Sequence, residues 1–302
     1  MSEDYDIVVA GGGVAALAAG LVAARLGRRT RILAGHVLGG NLLSIERIDG
    51  YPGFPEGVAG YELCPLAQAQ AVEAGAEIDT AELQRIDGRS PAFRLTTGAG
   101  ELGARAVIVA TGSALKALGI PGEDRLAGRG VSHCASCDGP LLGGATVAVI
   151  GGGDSALQEA LTLAQHASRV LILNRGATLS GQAVYRERAE REGRIQVRCG
   201  TVVEEILGAD AVTGVRLRGG EIVEAQAVFI YIGLEPNSAF LEGCVPLEPS
   251  GHIRTDSAMA SASAGVFAAG SVRVGWGGRA VASAGEGAAA AVAADRYLNQ
   301  IA

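Results

Sequence analysis

A chain of 302 residues with 48% hydrophobic side chains has material for one large domain or two ordinary ones. Only 4% of residues are aromatic, so the apolar bulk is Ala, Val, Leu and Ile on a frame punctuated by 46 glycines, and a net charge of −7 excludes a global basic field for nucleic acid. The five cysteines, at 64, 134, 137, 199 and 244, are odd in number and irregular in spacing, which excludes the disulfide framework of a small secreted domain.

The N-terminus, MSEDYDIVVAGGG, is acidic and enters a strand at once, without the basic region and apolar run of a signal peptide. The apolar run 7–24 is broken by Gly11-Gly12-Gly13, which reads as strand, turn and helix and not as a membrane span. A cytoplasmic protein that does not enter a membrane is expected. Residues 5–27 give an apolar strand, a glycine turn and an alanine-rich helix, followed by a strand over 29–35. Gly11, Gly13 and Ala16 have the G-x-G-x-x-G/A spacing of a dinucleotide turn. The first glycine permits the tight turn, and the second lets the backbone approach a pyrophosphate. The small third residue packs helix on strand, and the helix N-terminus offers donors to the anion.

Helical periodicity follows in 61–76, with Pro65 expected to mark where the helix proper begins. Segment 104–114 reads as a buried strand ending in Ala110-Thr111-Gly112. A second copy of the strand–turn–helix unit occupies 145–175, with Gly151, Gly153 and Ala156 at the same spacing. Buried strands are expected within 226–237 and 264–272, and an alanine-rich helix in 279–302. The fold class is therefore α/β, two Rossmann-like dinucleotide-binding domains with the second inserted into the first. Residues 1–114 and 245–302 form the host, and 115–244 the insert. Two dinucleotide turns in one chain suggest two dinucleotides.

Between them lies 131-VSHCASCDGPL-141. A lone C-x-x-C has three uses: half of a structural zinc site, a pair of inert buried thiols, or a redox dithiol. Zinc wants four ligands, and the four histidines (36, 133, 166, 252) have no ligand spacing, nor is there a second C-x-x-C; no metal site is expected. A redox pair fits the spacing best. Asp138 reads either as a turn residue in Asp-Gly or as an acid–base group beside the sulfurs.

Several stretches together resemble the low-molecular-weight thioredoxin reductases nearly end to end. They are 39-GGNL-42, 51-YPGFPEG-57, 110-ATGS-113, 117-ALGIPGED-124, 128-GRGVSHCASCDG-139, 151-GGGDSALQEA-160, 230-IYIGLEPN-237 and 264-AGVFAAG-270. The resemblance implies a homodimeric flavoprotein disulfide reductase. It places FAD in the host domain, held by the Gly11 turn, by Gly40, Asn41 and Leu42, by Ala110, Thr111 and Gly112, and by Gly270, Ser271, Arg279, Ala280 and Val281. NADPH belongs to the insert, held by the Gly151 turn with Asp154 and Ser155, and by Arg175. Cys137 is implied as the sulfur nearer the flavin, Cys134 as the nucleophile toward an outside disulfide, and Asp138 as the proton carrier. The substrate implied is a thioredoxin-like protein or a small disulfide or dithiol. Rotation of the insert, with hinges at 112–114 and near 244–248, is implied to alternate nicotinamide and dithiol at one flavin face.

This chain departs from the pattern in two places. In 173-LNRGATLSG-181 only Arg175 remains of the family's basic run for the 2′-phosphate, with Asn174, Gly176 and Ser180 at the other positions. No acid ends the strand to grip a ribose diol, and Arg186, Arg188 and Arg191 lie further on. In the host, Ser271 stands for an aspartate, Gly50 for an asparagine and Ala280 for a glutamine. Losing a charge-assisted bond at Ser271 costs on the order of 1.5–3 kcal/mol. These departures keep NADH or ferredoxin as alternative donors. They also keep a dithiol oxidase that uses oxygen, and a non-catalytic nucleotide-binding module, as alternative functions.

Overall fold

The computed structural model describes residues 4–301. Its first stretch contains β1 (Asp4–Ala10), α1 (Val14–Arg25), β2 (Thr30–Leu33), α2 (Gly60–Glu73), β3 (Glu77–Asp79), β4 (Leu83–Arg89), β5 (Ala92–Thr97), β6 (Gly100–Val109) and β7 (Ser113–Leu115). A middle stretch follows with β8 (Val131–Ser132), α3 (Ala135–Asp138), β9 (Thr146–Ile150), α4 (Asp154–Leu163), β10 (Arg169–Asn174), α5 (Ala183–Arg191) and β11 (Ile195–Cys199). It continues through β12 (Val203–Leu207), β13 (Gly214–Leu217), β14 (Ile222–Glu224), β15 (Ala227–Ile230) and β16 (Leu234–Pro236). The chain closes with β17 (Val266–Ala268) and α6 (Ala280–Gln300).

Two compact units result, one running to Ala114 and resuming at Glu235, the other spanning Leu115–Leu234. In the first, β3, β2, β1 and β6 run parallel, with β17 parallel to β6 and the β4–β5 hairpin antiparallel beyond it. Strands buried on both faces read as unbroken apolar runs; Ile7, Val8, Val9 and Ala10 are all fully buried. Their odd members pack with α1 and α6 through Leu17, Ala19, Ala290 and Ala294. Alanine lets these helices lie close to the sheet and still exclude water.

The second unit repeats the plan. A parallel sheet runs in the order β11-β10-β9-β15-β8, with β12, β13 and β14 as a separate antiparallel sheet. Leu157, Ala160 and Leu163 recur at helical spacing on α4 and bury against Val147, Val149 and Val170. Both units are thus Rossmann-type, one inside the other.

Two expectations are corrected. Residues 235–244 belong to the first unit, not to the insert: Leu241 and Val245 are buried in the core that also holds Val107 and Val266. The chain crosses between units at 114/115 and 234/235, on strands β7 and β16 that pair with each other, so 244–248 is not a crossing point. Helix α2 begins at Gly60, a full turn before Pro65. Proline removes the N–H that would reach back four residues and crowds the carbonyl there, but takes no bond from the turn that precedes it. The turn before it is built from bonds of Glu62 and Leu63 to Ala59, while Gly60 donates to Ile45.

Candidate active site

The first glycine turn joins β1 to α1. Gly11 has φ +123°, and a Cβ there would overlap the Ala110 carbonyl oxygen at the end of β6. Only glycine fits both constraints. Gly13 caps α1 without a side-chain bond, and a Cβ built on it meets nothing within 4 Å. The start of α1 is thus left free of side chains at Gly13, as the approach of a pyrophosphate requires. Ala16 is fully buried where helix meets sheet.

Other host residues singled out in the sequence gather at the same carboxyl edge. Gly39 donates to Gly12, which brings Gly40 beside Gly13. Asn41 Nδ2 donates to the Ser113 carbonyl at 2.6 Å, and Leu42 packs in the small cluster that also takes Ala280. Thr111 Oγ1 donates to the Asn237 carbonyl at 2.7 Å, and Asn237 Nδ2 returns a bond to the Thr111 carbonyl at 3.0 Å. Gly112 lies against Ser271 Oγ, and the Ser113 hydroxyl donates to that oxygen at 2.9 Å. The serine in place of aspartate is therefore tied into the protein. Gly270, with φ +78°, donates its N–H to Glu286 Oε2 at 2.8 Å. Arg279 and Val281 are exposed at the start of α6. Asn237 and Glu286 were not singled out from the sequence, and Ser113 only as part of the expected hinge, because each acts through a partner remote along the chain.

The second glycine turn joins β9 to α4. Gly151 has φ +141°, and a Cβ there would overlap the Tyr231 carbonyl oxygen at the end of β15. Ala156 is fully buried, and Ser155 is exposed. As Gly39 bonds Gly12 in the first turn, a loop bonds the middle glycine of this one, and here it also engages a side chain. The Gly152 carbonyl accepts the N–H groups of Ser180 and Gly181, at 2.8 and 3.1 Å. The Asp154 carboxylate accepts the N–H and side-chain amide of Gln182, at 2.7 and 3.1 Å. Asn174, at the end of β10, turns inward. Its Nδ2 donates to the carbonyls of Gly176 and Thr178, and its Oδ1 accepts the Gly176 N–H. The Asn174 side chain is thus engaged by its own loop. Arg175 follows it, exposed. Of the further arginines, Arg191 pairs with Glu187 and Arg188 lies over the Tyr185 ring.

The cysteines sit at this same sheet edge. Parallel pairing sets Phe229 beside Ser132 and Ile230 beside Ile150, so the chain leaves β8, β9 and β15 on one side. Leaving β8, it forms a Cys134–Cys137 disulfide with Cα atoms 5.3 Å apart. Cys134 caps α3: its Sγ accepts the Cys137 N–H at 3.3 Å, its carbonyl the Asp138 N–H at 3.2 Å. Cys137 is exposed, and Cys134 and Asp138 are half-buried. His133 is exposed, its Nδ1 3.1 Å from the Ile230 carbonyl. Beneath the turn, Glu159 Oε2 accepts the Ala135 N–H at 3.1 Å and the Tyr231 hydroxyl at 3.3 Å. Burial, then the Glu159 carboxylate, and more weakly Asp138, push the Tyr231 phenol far above its ordinary value. Glu159 and Tyr231 were missed as individuals, although both lie inside quoted motifs; only the fold shows that they meet under the dithiol. Among the described residues no group of His, Cys, Asp and Glu forms a metal site, and no helix is long and apolar enough to cross a membrane.

Two dinucleotide turns with a disulfide at the carboxyl edge of the second sheet define a nucleotide-dependent disulfide oxidoreductase. The chain belongs to the pyridine nucleotide-disulphide oxidoreductase family, whose model matches residues 5–293. Within that family it is of the thioredoxin reductase type, a class of enzymes that works with FAD and NADPH. It is 37% identical to a thioredoxin reductase of Treponema pallidum, over 100% of this chain and 99% of that one. It is also 37% identical to a bifunctional thioredoxin reductase/thioredoxin of Mycobacterium leprae, over 97% of this chain and 66% of that one. Among solved structures it is similar to a Lactococcus lactis thioredoxin reductase, with a TM-score of 0.94 and 32% identity, covering 98% of this chain and 99% of that one.

Proposed function

We propose that this chain reduces the disulfide of a thioredoxin-like protein, with Cys134 and Cys137 as the exchanging pair. The single observation that carries the reading is the Cys134–Cys137 disulfide at the sheet edge that also carries the Gly151 turn. The Mycobacterium leprae relative supports the partner, since its name joins a thioredoxin to the reductase. When bound, FAD supplies two-electron transfer between a reduced nicotinamide and the disulfide. The open Gly13 cradle, Asn41 and the Thr111–Asn237 pair would hold it in the host unit, and Gly151, Gly153 and Arg175 would hold the nicotinamide dinucleotide in the insert.

The residues then divide the exchange chemistry. Reduction opens the Cys134–Cys137 bond and leaves two sulfurs carrying two electrons. Cys134 Sγ attacks one sulfur of the partner disulfide, and the other partner sulfur leaves as a thiolate. Cys137 then attacks the mixed disulfide, which restores the internal bond and releases the partner as a dithiol. Asp138, within the same short turn, carries a proton to the departing thiolate. The free cysteines Cys64, Cys199 and Cys244 agree with a reducing cytoplasm. We assign a homodimer on the family resemblance, which light scattering of the purified protein checks.

Anaerobic titration of the yellow protein with NADPH, NADH and reduced ferredoxin tests the reading. NADPH is expected to bleach the flavin, and Cys137→Ser to remove disulfide reductase activity by roughly three orders of magnitude or more. Bleaching by neither nicotinamide contradicts the nicotinamide half. A second reading, in which electrons come from another donor or pass from a dithiol substrate to oxygen, is favoured by one observation: Asn174 is engaged by its own loop, and Arg175 alone remains of the basic run. Peroxide formed from a dithiol substrate without nicotinamide supports that reading.

A further inference from the structure

Helix α4 starts at the nucleotide turn and ends under the dithiol, and Glu159 lies on its face toward α3. Its Oε2 receives two donors, the Ala135 N–H at 3.1 Å and the Tyr231 hydroxyl at 3.3 Å. Ala135 is fully buried and Tyr231 nearly so. The nitrogen that donates to Glu159 is bonded to the carbonyl carbon of Cys134, whose sulfur caps the same turn. A carboxylate that accepts two hydrogen bonds is stabilised in its ionised form. Reading Cys134 as the outward nucleophile leaves unexplained why the fold holds a second carboxylate, besides Asp138, under its main chain.

We propose that Glu159 is a positioning residue for the dithiol: it orients the Cys134–Cys137 turn through Ala135 and holds a negative charge that disfavours the Cys134 thiolate. The proposal rests on the reading of this pair as the exchanging dithiol, and deepens it. The charge works in a defined direction. A nearby like charge disfavours ionisation, so Glu159 keeps more of Cys134 as thiol at neutral pH. A thiol of higher proton affinity is also the more intrinsically nucleophilic once ionised, and a dithiol whose thiolates are disfavoured is the stronger reductant. The other ionisable groups around the turn are Asp138 in α3, His133 after β8, Tyr231 after β15, and His166, which lies against Gly139. Tyr231 donates to Glu159 and so disperses part of its charge.

The test is the pH dependence of Cys134 alkylation in the full-length flavoprotein carrying Cys137→Ser, read by mass spectrometry of the Cys134 peptide. Glu159→Gln keeps an acceptor for Ala135 and removes the charge. The alkylation midpoint is expected to fall by about one pH unit, with labelling near neutral pH faster by up to about tenfold. A midpoint that stays or rises overturns the proposal. Tyr231→Phe removes a donor and keeps the charge, so its midpoint is expected to rise slightly. A fall there would mean that turn shape, not charge, controls the thiol, and overturns the proposal even if the glutamine variant fails to fold. The measurement needs no turnover, so it is separate from the reductase reading. That reading fails if the parent with both cysteines reduces no disulfide.

Discussion

The two glycine turns share one fingerprint and one loop contact, an N–H bonded to the middle glycine's carbonyl, but differ in the side chains around them. In the first unit, the cradle at Gly13 is open, and the residues beside it come from β6, from 39–42 and from 270–271. In the second, a loop from β10 bonds the turn through Gly152 and also through Asp154, and the dithiol turn stands two strands away, across β15. The contrast shows that the fingerprint fixes only the approach of a pyrophosphate. What happens at the rest of a bound dinucleotide is decided by side chains the fingerprint does not contain. The second turn, unlike the first, shares its sheet edge with a disulfide.

Valine at either first glycine is the severest way to break this comparison. Each replacement needs a φ that L-residues avoid and drives a side chain into a carbonyl, of Ala110 for Gly11 and of Tyr231 for Gly151. Each should cost on the order of 3–5 kcal/mol in its own unit. Gly11→Val is expected to yield colourless protein, while Gly151→Val stays yellow but is no longer bleached by NADPH. Absorbance spectra before and after anaerobic NADPH separate the two. Loss of flavin from both variants would contradict the assignment of one dinucleotide to each unit.

Arg175→Ala is expected to weaken NADP⁺ binding by about ten- to a hundredfold and NAD⁺ binding much less, since one charged hydrogen bond contributes roughly 1.5–3 kcal/mol. Adding guanidinium groups through Gly176→Arg and Ser180→Arg should move affinity the other way. Calorimetry with 2′,5′-ADP against AMP reads the 2′ contribution without turnover. Equal loss for both ligands would place Arg175 away from the 2′ position.

A smaller effect lies in α2. Burial raises the Cys64 thiol from 9.0 to about 11. The unfolded chain loses this proton first as pH rises, so the folded state gains nothing below the ordinary thiol value and loses stability between there and about 11. Cys64→Ala should flatten the decline of the thermal midpoint across that alkaline range. An unchanged slope would show that this thiol does not govern it.

Features that live in short windows were legible in the sequence. Both glycine turns, the strand–turn–helix order and the C-x-x-C pair need only local spacing, and the motifs around them sufficed for the family. Features that depend on remote pairing were not. The return to the first unit at 234/235 is set by β7 and β16 pairing across more than a hundred residues, with Leu241 and Val245 packing in the host core. Glu159 and Tyr231 lie on different elements and meet only because β8, β9 and β15 are parallel neighbours. The inward turn of Asn174 was invisible for a different reason: its side chain had the choice of ligand or loop, and three bonds to the loop decide it. Pro65 misled because proline is compatible with a helix whose preceding turn hangs from other donors.

The central claim is that electrons entering from nicotinamide arrive at Cys134 and Cys137. The most direct measurement is anaerobic addition of NADPH in slight excess, followed by acid quench, alkylation and peptide mass spectrometry of all five cysteines. The account predicts that Cys134 and Cys137 become labelled together after NADPH and stay unlabelled without it. Flavin that bleaches while the 134–137 peptide remains oxidised would contradict it.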